Sequence, residues 1–469
     1  WASRVSIAGI GWSREGVLVE PGDETMGRVI GVLGAGALGL TAAFRLAQHS
    51  ERVVVLEREP FVGGLASSFR LGDSYLERFY HHIFRSDTDI VRLVEELGLG
   101  HRLVWRRPLT STLYEGRRYP LDSPTAVLRF SPLSPVERLR LGLVVLYLRL
   151  LKDYRRLEGV TAAEWLQRWM GPRVYKVVWE PLFRSKFGER YDAIAMPWFW
   201  ARVHYRSASL GYLRGGFQLL YQALADAISR LGGSVELETE VTAIEGLSDG
   251  RVAVDTGRGR RVFDALVVTL PTRVFVRLAR GLPEEYRRRY DWGEAYGAHN
   301  VVLALDRPLS DVYWLNINDR GYPFLSVVEH TNFMPPSEYG GKHYVYLSKY
   351  LEPDHPYFTM PEDELVTTYI PYLQRINPAF DRSWIERWRV FRERAAQPIV
   401  TLNYSERIPE HRTPLARLYL ANTSQIYPED RGTNYSVRLG NRVAALVIED
   451  LGTPKIPAER PALVTASTG

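Results

Sequence analysis

RVIGVLGAGALGLTAAFRLAQHSERVVVLEREPFVGGLASSFRLGDSYLERFYHHIF, residues Arg28 to Phe84, is the stretch whose reading decides the fold. The apolar run Val29, Ile30, Val32 and Leu33 predicts a buried strand, and Gly34-x-Gly36-x-x-Gly39 a tight turn opening a helix. Val53 to Leu56 predicts a second strand, ending in the acid Glu57. Strand, glycine turn, helix, strand and acid in this order make a dinucleotide-binding βαβ unit. Gly34 permits the turn, Gly36 lets the backbone approach a pyrophosphate, and Gly39 lets the helix pack close to the sheet. The helix start at Ala35, Ala37 and Leu38 offers unpaired N–H groups and a positive dipole end to phosphate. Glu57, followed by Arg58, is placed to accept hydrogen bonds from an adenosine ribose. The unit is specific for an ADP moiety and does not separate NAD from FAD.

The residues that follow make that separation. Gly63-Gly64-Leu65-Ala66-Ser67-Ser68 comes six positions past Glu57, then a turn and Glu77-Arg78-Phe79-Tyr80-His81-His82-Ile83-Phe84. A Gly-Gly step lets a second backbone segment run along a phosphate or flavin edge where a Cβ would collide. With these residues the chain resembles the flavin-containing amine oxidase superfamily, which also holds protoporphyrinogen oxidases, phytoene desaturases and, more distantly, UDP-galactopyranose mutase. The resemblance implies FAD as cofactor, with contacts from Glu57, Gly63, Gly64, Leu65, Ala66, Ser68, Tyr80 and His81, the Tyr80 to Ile83 stretch reaching the isoalloxazine ring.

Two later segments extend the resemblance. Gly232 to Ile244 is similar to the superfamily's middle FAD-domain strand, whose backbone near Val241 would clasp the adenine. Leu418 to Ser424 leads through Asp430-Arg431-Gly432-Thr433-Asn434-Tyr435-Ser436 into a helix from Val437 to Asp450. It is similar to the closing strand-loop-helix that covers pyrophosphate and ribityl chain, and implies contacts from Asn422, Tyr435 and Ser436. The loop is acidic and glycine-poor, a departure from the amine oxidase pattern. So is His299-Asn300, which stands where many amine oxidases carry a lysine near the flavin.

The implied architecture is α/β: a Rossmann-like FAD-binding domain assembled from residues 28–84, 210–272 and 401–452. Residues 85–209 form a mostly helical insert and 273–400 a mixed α/β insert, the two together binding substrate. Residues 1–27, with turn formers and Met26 just before the first strand, read as an extension, and 453–469 as a tail. Ser134-Pro135-Val136-Glu137 and Thr161-Ala162-Ala163-Glu164 both fit the capping box and predict helix starts in the first insert. Asn300 to Leu305 and His343 to Tyr350 predict strands in the second.

Composition closes off several chemistries. The chain has 469 residues and no cysteine, so disulfides, thiolate metal ligands, catalytic thiols and cysteinyl flavin are excluded. His81-His82 lacks the spacing of a metal site, and no metal is expected. A net charge of +6 on so long a chain argues against nucleic acid. The basic residues nevertheless cluster in 102–118 and 129–156, suiting an anionic substrate, an acidic membrane surface or a solvated helix face. Leu139 to Leu151, broken by Arg140, Gly142 and Arg149, is too interrupted to span a bilayer and reads as a buried or amphipathic helix, with a monotopic anchor as the alternative. With no secretory signal, a cytoplasmic location is expected, with peripheral membrane contact left open.

His81 and His82 are the first candidates for catalysis, since a neutral imidazole can carry a proton near pH 7. The alternative is structural, with one ring bonded to backbone and the other partly exposed. Trp198-Phe199-Trp200 reads as a substrate slot or as core, and Lys186 as a surface lysine or the partner of an anionic group. The expected function is hydride removal from a small-molecule substrate to FAD, with oxygen, a quinone or another acceptor taking the electrons. A non-redox mutase-like flavoenzyme and a non-catalytic flavin protein are the alternatives.

Overall fold

The computed structural model describes residues 27–49 and 51–452; apart from Gly27, the expected extension 1–27 and the tail 453–469 lie outside them. Strand β1 (Val29–Leu33), helix α1 (Ala37–Gln48) and strand β2 (Arg52–Leu56) form the βαβ unit where the sequence puts it. Around it a five-stranded sheet takes the order β3-β2-β1-β4-β5, with β3 at Ser234–Glu236, β4 at Ala265–Val268 and β5 at Leu418–Leu420. Every neighbouring pair is parallel. The order reverses at β1, the switch point where open α/β sheets bind ligands at the carboxyl ends of the strands.

Both faces of this sheet are covered, so its strands read as near-continuous apolar runs. Ile30, Val32, Val53, Val55, Ala265 and Val267 point to the face packed by α1, the helix Gln218–Arg230 and the closing helix. Leu33, Val54, Leu56, Leu266 and Val268 point to the other, where the helix Thr272–Leu278 and a four-stranded sheet lie. Ten of the twelve residues of α1 are buried, which is why its sequence is apolar all round rather than striped. The closing helix reaches it through Gly440, where a Cβ would stand 2.7 Å from the Leu38 carbonyl oxygen.

The stretch Gly232 to Ile244 is two strands and not one. Ser234–Glu236 joins the parallel sheet beside β2, whereas Val241–Gly246 belongs to the four-stranded sheet. Between them Glu238 has φ 51° and Thr239 N–H donates to the Glu57 carbonyl oxygen at 2.8 Å. The backbone therefore turns across the end of β2.

A seven-stranded sheet faces this domain, in the order Ile385–Pro398, Ala295–Leu305, His343–Leu351, Ser326–Glu329, Trp314–Ile317, Thr110–Tyr114, Arg117–Pro120. Its last two strands come from the first insert, which is thus less helical than its sequence suggests. They turn at Glu115 and Gly116, with φ 50° and 69°, the positive pair that a tight hairpin requires. The helices of that insert include α2 (Pro135–Leu150), α3 (Glu180–Phe187) and α4 (Met196–His204). The expected capping boxes form at Ser134/Glu137 and Thr161/Glu164. The chain closes with α5 (Thr433–Leu451).

Candidate active site

The end of β1 runs into a cradle made of glycine. Gly34 has φ 99°, a conformation costly for any residue with a Cβ. A Cβ on Gly39 would stand 1.9 Å from the Gly34 carbonyl oxygen, so this position admits only glycine. At Gly36 a Cβ would meet no atom within 4 Å: the space beside it is open. Gly36 caps α1 without any side-chain hydrogen bond, so the first-turn N–H groups face that space unpartnered, a ready anion site. Gly63 N–H donates to the Ala35 carbonyl oxygen at 2.8 Å, and Gly64 (φ 55°) sits where a Cβ would come 3.2 Å from Gly36 Cα. Two glycine segments thus line one slot. Leu65 and Ala66 follow in a single 3₁₀ turn.

Glu57 ends β2 and is buried. One carboxylate oxygen accepts from Ala35 N–H at 2.7 Å and the other from Glu59 N–H at 2.9 Å. Each oxygen retains a second acceptor site, the provision a ribose diol needs. Arg58 points outward and pairs with Glu59 at 3.1 Å. Val241 starts its strand just past the crossing over Glu57. Ser68 Oγ and Asn434 Nδ2 are buried without partners, orphaned groups that a ligand can satisfy. Ser436 is buried in the first turns of α5 and Tyr435 beside it is half-buried. Asn422 differs: its amide donates to the Leu270 carbonyl and Thr272 Oγ1, and its oxygen accepts from Ser424. That side chain is committed to a turn and offers a cofactor little beyond backbone. Open glycine cradle, free helix N–H groups and a held carboxylate together fit the ADP half of a flavin dinucleotide.

Beyond Gly64 the chain returns through Glu77 to Tyr80, His81 and His82, which pack against the seven-stranded sheet. The Tyr80 ring meets Trp314 edge-on at 4.7 Å, and its hydroxyl bonds His82 Nδ1 at 2.8 Å. His81 Nδ1 donates to the Phe79 carbonyl, which leaves Nε2 as an acceptor. One ring is thus bonded to backbone, and both are half-buried. Burial pushes the His81 pKa down to about 4, backbone bonding opposing it, and that of His82 to about 3, with Arg206 adding to the effect. Both rings are therefore neutral at pH 7.

Strand alternation decides the His299-Asn300 pair. Asn300 faces the FAD-binding domain, its amide donating to the Arg78 carbonyl at 2.6 Å and its oxygen accepting from Ser348 at 2.7 Å. His299 faces away, against Tyr357 and Phe358. The side chain presented where a lysine is expected is thus Asn300.

A charged cluster that the sequence does not announce gathers around Asp430. Asp430, just ahead of α5, accepts from Lys186 Nζ at 2.7 Å, Arg202 at 2.6 Å, Trp198 Nε1 at 3.1 Å and Gln397 at 3.3 Å. Arg431 donates to the Tyr350 hydroxyl at 2.8 Å and to Gln397 at 3.3 Å. Burial raises the Asp430 pKa, but Lys186 and Arg202 outweigh it and hold the carboxyl well below the usual range. Lys186 is 7% exposed, so the surface-lysine reading is corrected: it is the buried partner of an anion, placed by α3. Trp198, Phe199 and Trp200 are core, Trp198 alone presenting its N–H to the cluster. The one sequence signal is spacing: Trp198 and Arg202, four residues apart on α4, lie on one side of it, and Arg206 follows just past the helix end.

The parallel sheet and its glycine cradle, faced by the seven-stranded sheet, define a dinucleotide-binding α/β protein. Residues 39–448 match the family described as flavin containing amine oxidoreductase, and the chain belongs to that family. It is accordingly a flavin-dependent oxidoreductase with FAD as cofactor. Among sequence relatives, 15-cis-phytoene desaturase of Glycine max is 24% identical over 435 residues, covering 84% of this chain and 75% of its own. The same enzyme of Narcissus pseudonarcissus is 26% identical over 315 residues, covering 60% of this chain and about half, 54%, of its own length. Among solved structures, a provisionally assigned protoporphyrinogen oxidase of an Exiguobacterium species superposes with TM-score 0.73 at 18% identity, covering 90% of this chain and 99% of its own. A reduced UDP-galactopyranose mutase gives TM-score 0.72 at 16%, covering 91% and 96%. At such identities the structures report the fold. Among the described residues no group of side chains could hold a metal ion, and no helix is long and apolar enough to cross a membrane.

Proposed function

We propose that this chain removes hydride from a carbon centre of a small organic molecule held in the cleft between the two sheets. The observation that carries the reading is the continuity of two surfaces. The glycine cradle with Glu57 suits the ADP half of FAD, and the chain continues from it to Tyr80–His82, which pack against the seven-stranded sheet that carries Trp314, Tyr346 and Asn300. Bound FAD supplies the two-electron acceptor. The chain's own residues bind and orient: α1 holds pyrophosphate by its free N–H groups, Glu57 the ribose, and Gly63–Ser68 a second edge of the cofactor. His81 Nε2 accepts a hydrogen bond from substrate, and the aromatic ring of Tyr80, Trp314 and Tyr346 keeps water away. With His81 and His82 neutral, they position substrate rather than exchange protons at pH 7. Anaerobic spectra of the holoenzyme with amines, polyenes, porphyrinogens and nucleotide sugars test this. Bleaching of the flavin by one compound, followed by reoxidation with oxygen or a quinone, is expected. Turnover only after chemical prereduction, without net electron transfer, refutes it in favour of mutase-type chemistry.

The partner reading extends to a membrane surface. On α2 the side chains of Val136, Leu139, Leu143, Leu146 and Leu150 are 53–75% exposed, while only Leu141 and Leu148 are buried. The helix is amphipathic with its wider apolar side outward, and residues 129–156 carry seven basic residues against two acidic. An apolar stripe rimmed by arginine suits the headgroup region of an anionic bilayer. Flotation with phosphatidylglycerol vesicles, lost in Leu139→Ser/Leu143→Ser/Leu146→Ser, is the expected result. Equal recovery of wild type and variant overturns it.

A further inference from the structure

We propose that the cleft contains a dedicated subsite for an anionic group of the substrate, a carboxylate or a phosphate, with Arg206 as its principal donor. This rests on the reading of the cleft as the substrate site and names the chemistry that site selects.

Four cations, Lys186, Arg202, Arg206 and Arg431, surround the wall formed by Tyr80, His81, His82 and Tyr350, and a single carboxylate, Asp430, stands among them. Asp430 takes one hydrogen bond each from Lys186 and Arg202. Arg431 bonds only neutral groups, the Tyr350 hydroxyl and the Gln397 amide oxygen. Among the described residues the Arg206 guanidinium has no hydrogen-bond or ion-pair partner, and its guanidinium carbon lies 6.0 Å from the centre of the Phe84 ring. Four positive groups against one negative leave an excess of three charges around this wall. Such an excess is unfavourable without a counter-charge.

Arg206 is also the member best placed to meet a ligand. It is solvent-accessible, yet the surrounding protein lowers its pKa to about 9 by burial, with Arg202 adding repulsion. Its guanidinium is therefore open to an incoming anion while it feels the charges of its neighbours. The same field is felt by its neighbours: burial lowers the His82 pKa and Arg206 and Arg202 lower it further, whereas the Tyr350 phenol, which burial raises, is brought down by Arg431 and Lys186. Three cations are rigidly placed, Lys186 and Arg202 by Asp430 and the Trp198 ring, which lies 5.4 and 5.0 Å from their charges, and Arg431 by Tyr350. Arg206 alone keeps its donors free. Its planar fork matches the paired oxygens of a carboxylate or phosphate. An anionic tail gripped here anchors the substrate beside the Tyr80–His82 wall and leaves the rest of the molecule to lie along it.

Calorimetry with the FAD-loaded protein at low ionic strength tests the subsite, with inorganic pyrophosphate and malonate as the phosphate and carboxylate probes. At least one should bind saturably; preference for pyrophosphate assigns a phosphorylated substrate and preference for malonate a carboxylate one. Arg206→Gln should weaken binding about tenfold to hundredfold, the range for losing a hydrogen bond to a charged group. Arg206→Lys should recover part of it, with FAD content unchanged in both. No saturable binding of either probe, wild-type affinity in Arg206→Gln, or binding confined to FAD-free protein overturns the proposal. The heat of binding does not depend on flavin reduction, so failure of the oxidoreductase reading is recognised separately, by a flavin that no compound bleaches.

Discussion

Replacing Asp430 by alanine removes the one carboxylate that holds the cationic end of the cleft together. The side chain is 18% exposed and its main partners Lys186 and Arg202 are 8% and 17% exposed, so solvent cannot take over its role. Breaking one member of a buried ion pair typically costs about 3–5 kcal/mol, because the abandoned charge stays buried. Here two cations are abandoned together with the Trp198 and Gln397 donors, which puts the expected loss at the upper end, about 4–5 kcal/mol. Asp430→Asn, which keeps the shape and two lone pairs, should lose less. The assay is the shift of the denaturant midpoint at fixed slope, in the FAD-loaded protein. The pH dependence follows from sign: the folded carboxyl is held below its unfolded value of about 3.9. Its contribution is therefore complete above that pH and lost as the pH falls through it. The gap between wild type and variant should stay flat from pH 8 to about pH 5 and shrink in stronger acid. A loss below about 1 kcal/mol, the range of an exposed pair, or a gap that narrows toward high pH, refutes the argument.

Gly36→Ala should leave the thermal midpoint unchanged but lower FAD retention, since the added Cβ enters only open space, whereas Gly39→Ala should damage both because its Cβ would stand 1.9 Å from a carbonyl oxygen; bound flavin per chain and melting of each variant check this. Glu57→Ala should weaken FAD binding by about 1–3 kcal/mol, the cost of leaving polar ligand groups unsatisfied, and flavin release by dialysis or fluorescence measures it. Glu77 is fully enclosed; burial, opposed by the Phe217 N–H and Tyr212 hydroxyl bonds, raises its pKa to about 7, so the folded state keeps a proton the unfolded chain has lost. Stability should accordingly decline as pH rises from the unfolded carboxyl value through 7, and Glu77→Gln should flatten part of that curve; Glu329, also raised to about 7 by burial, Asp87, raised to about 6, and Glu51, raised by burial, add to the same slope.

How much of this was readable in the chain follows from the range over which each interaction acts. The cradle is local: turn, helix start and strand end lie within one run, Arg28 to Glu57, so periodicity and glycine spacing suffice to find it. The hairpin Thr110–Pro120 is local too, but its strands are polar and short among arginines, and only the Glu115-Gly116 turn marks it. Asn300 was within reach, since alternation along a strand assigns faces once one residue is anchored; the anchor, Arg78, lies 222 positions away. The cationic cluster is the opposite case. Lys186 and Asp430 meet across 244 residues, and Gln397 and Arg431 across 34, so no window contains the set. A lysine in a charged run, Arg184-Ser185-Lys186, reads as solvated because sequence carries no sign of the carboxylate that faces it. What sequence does retain is the four-residue recurrence of Trp198, Arg202 and Arg206. On α4 a cation, Arg202, follows a core aromatic, Trp198, on the same side of the helix, an improbable core face unless something anionic lies opposite, and Asp430 is that anion.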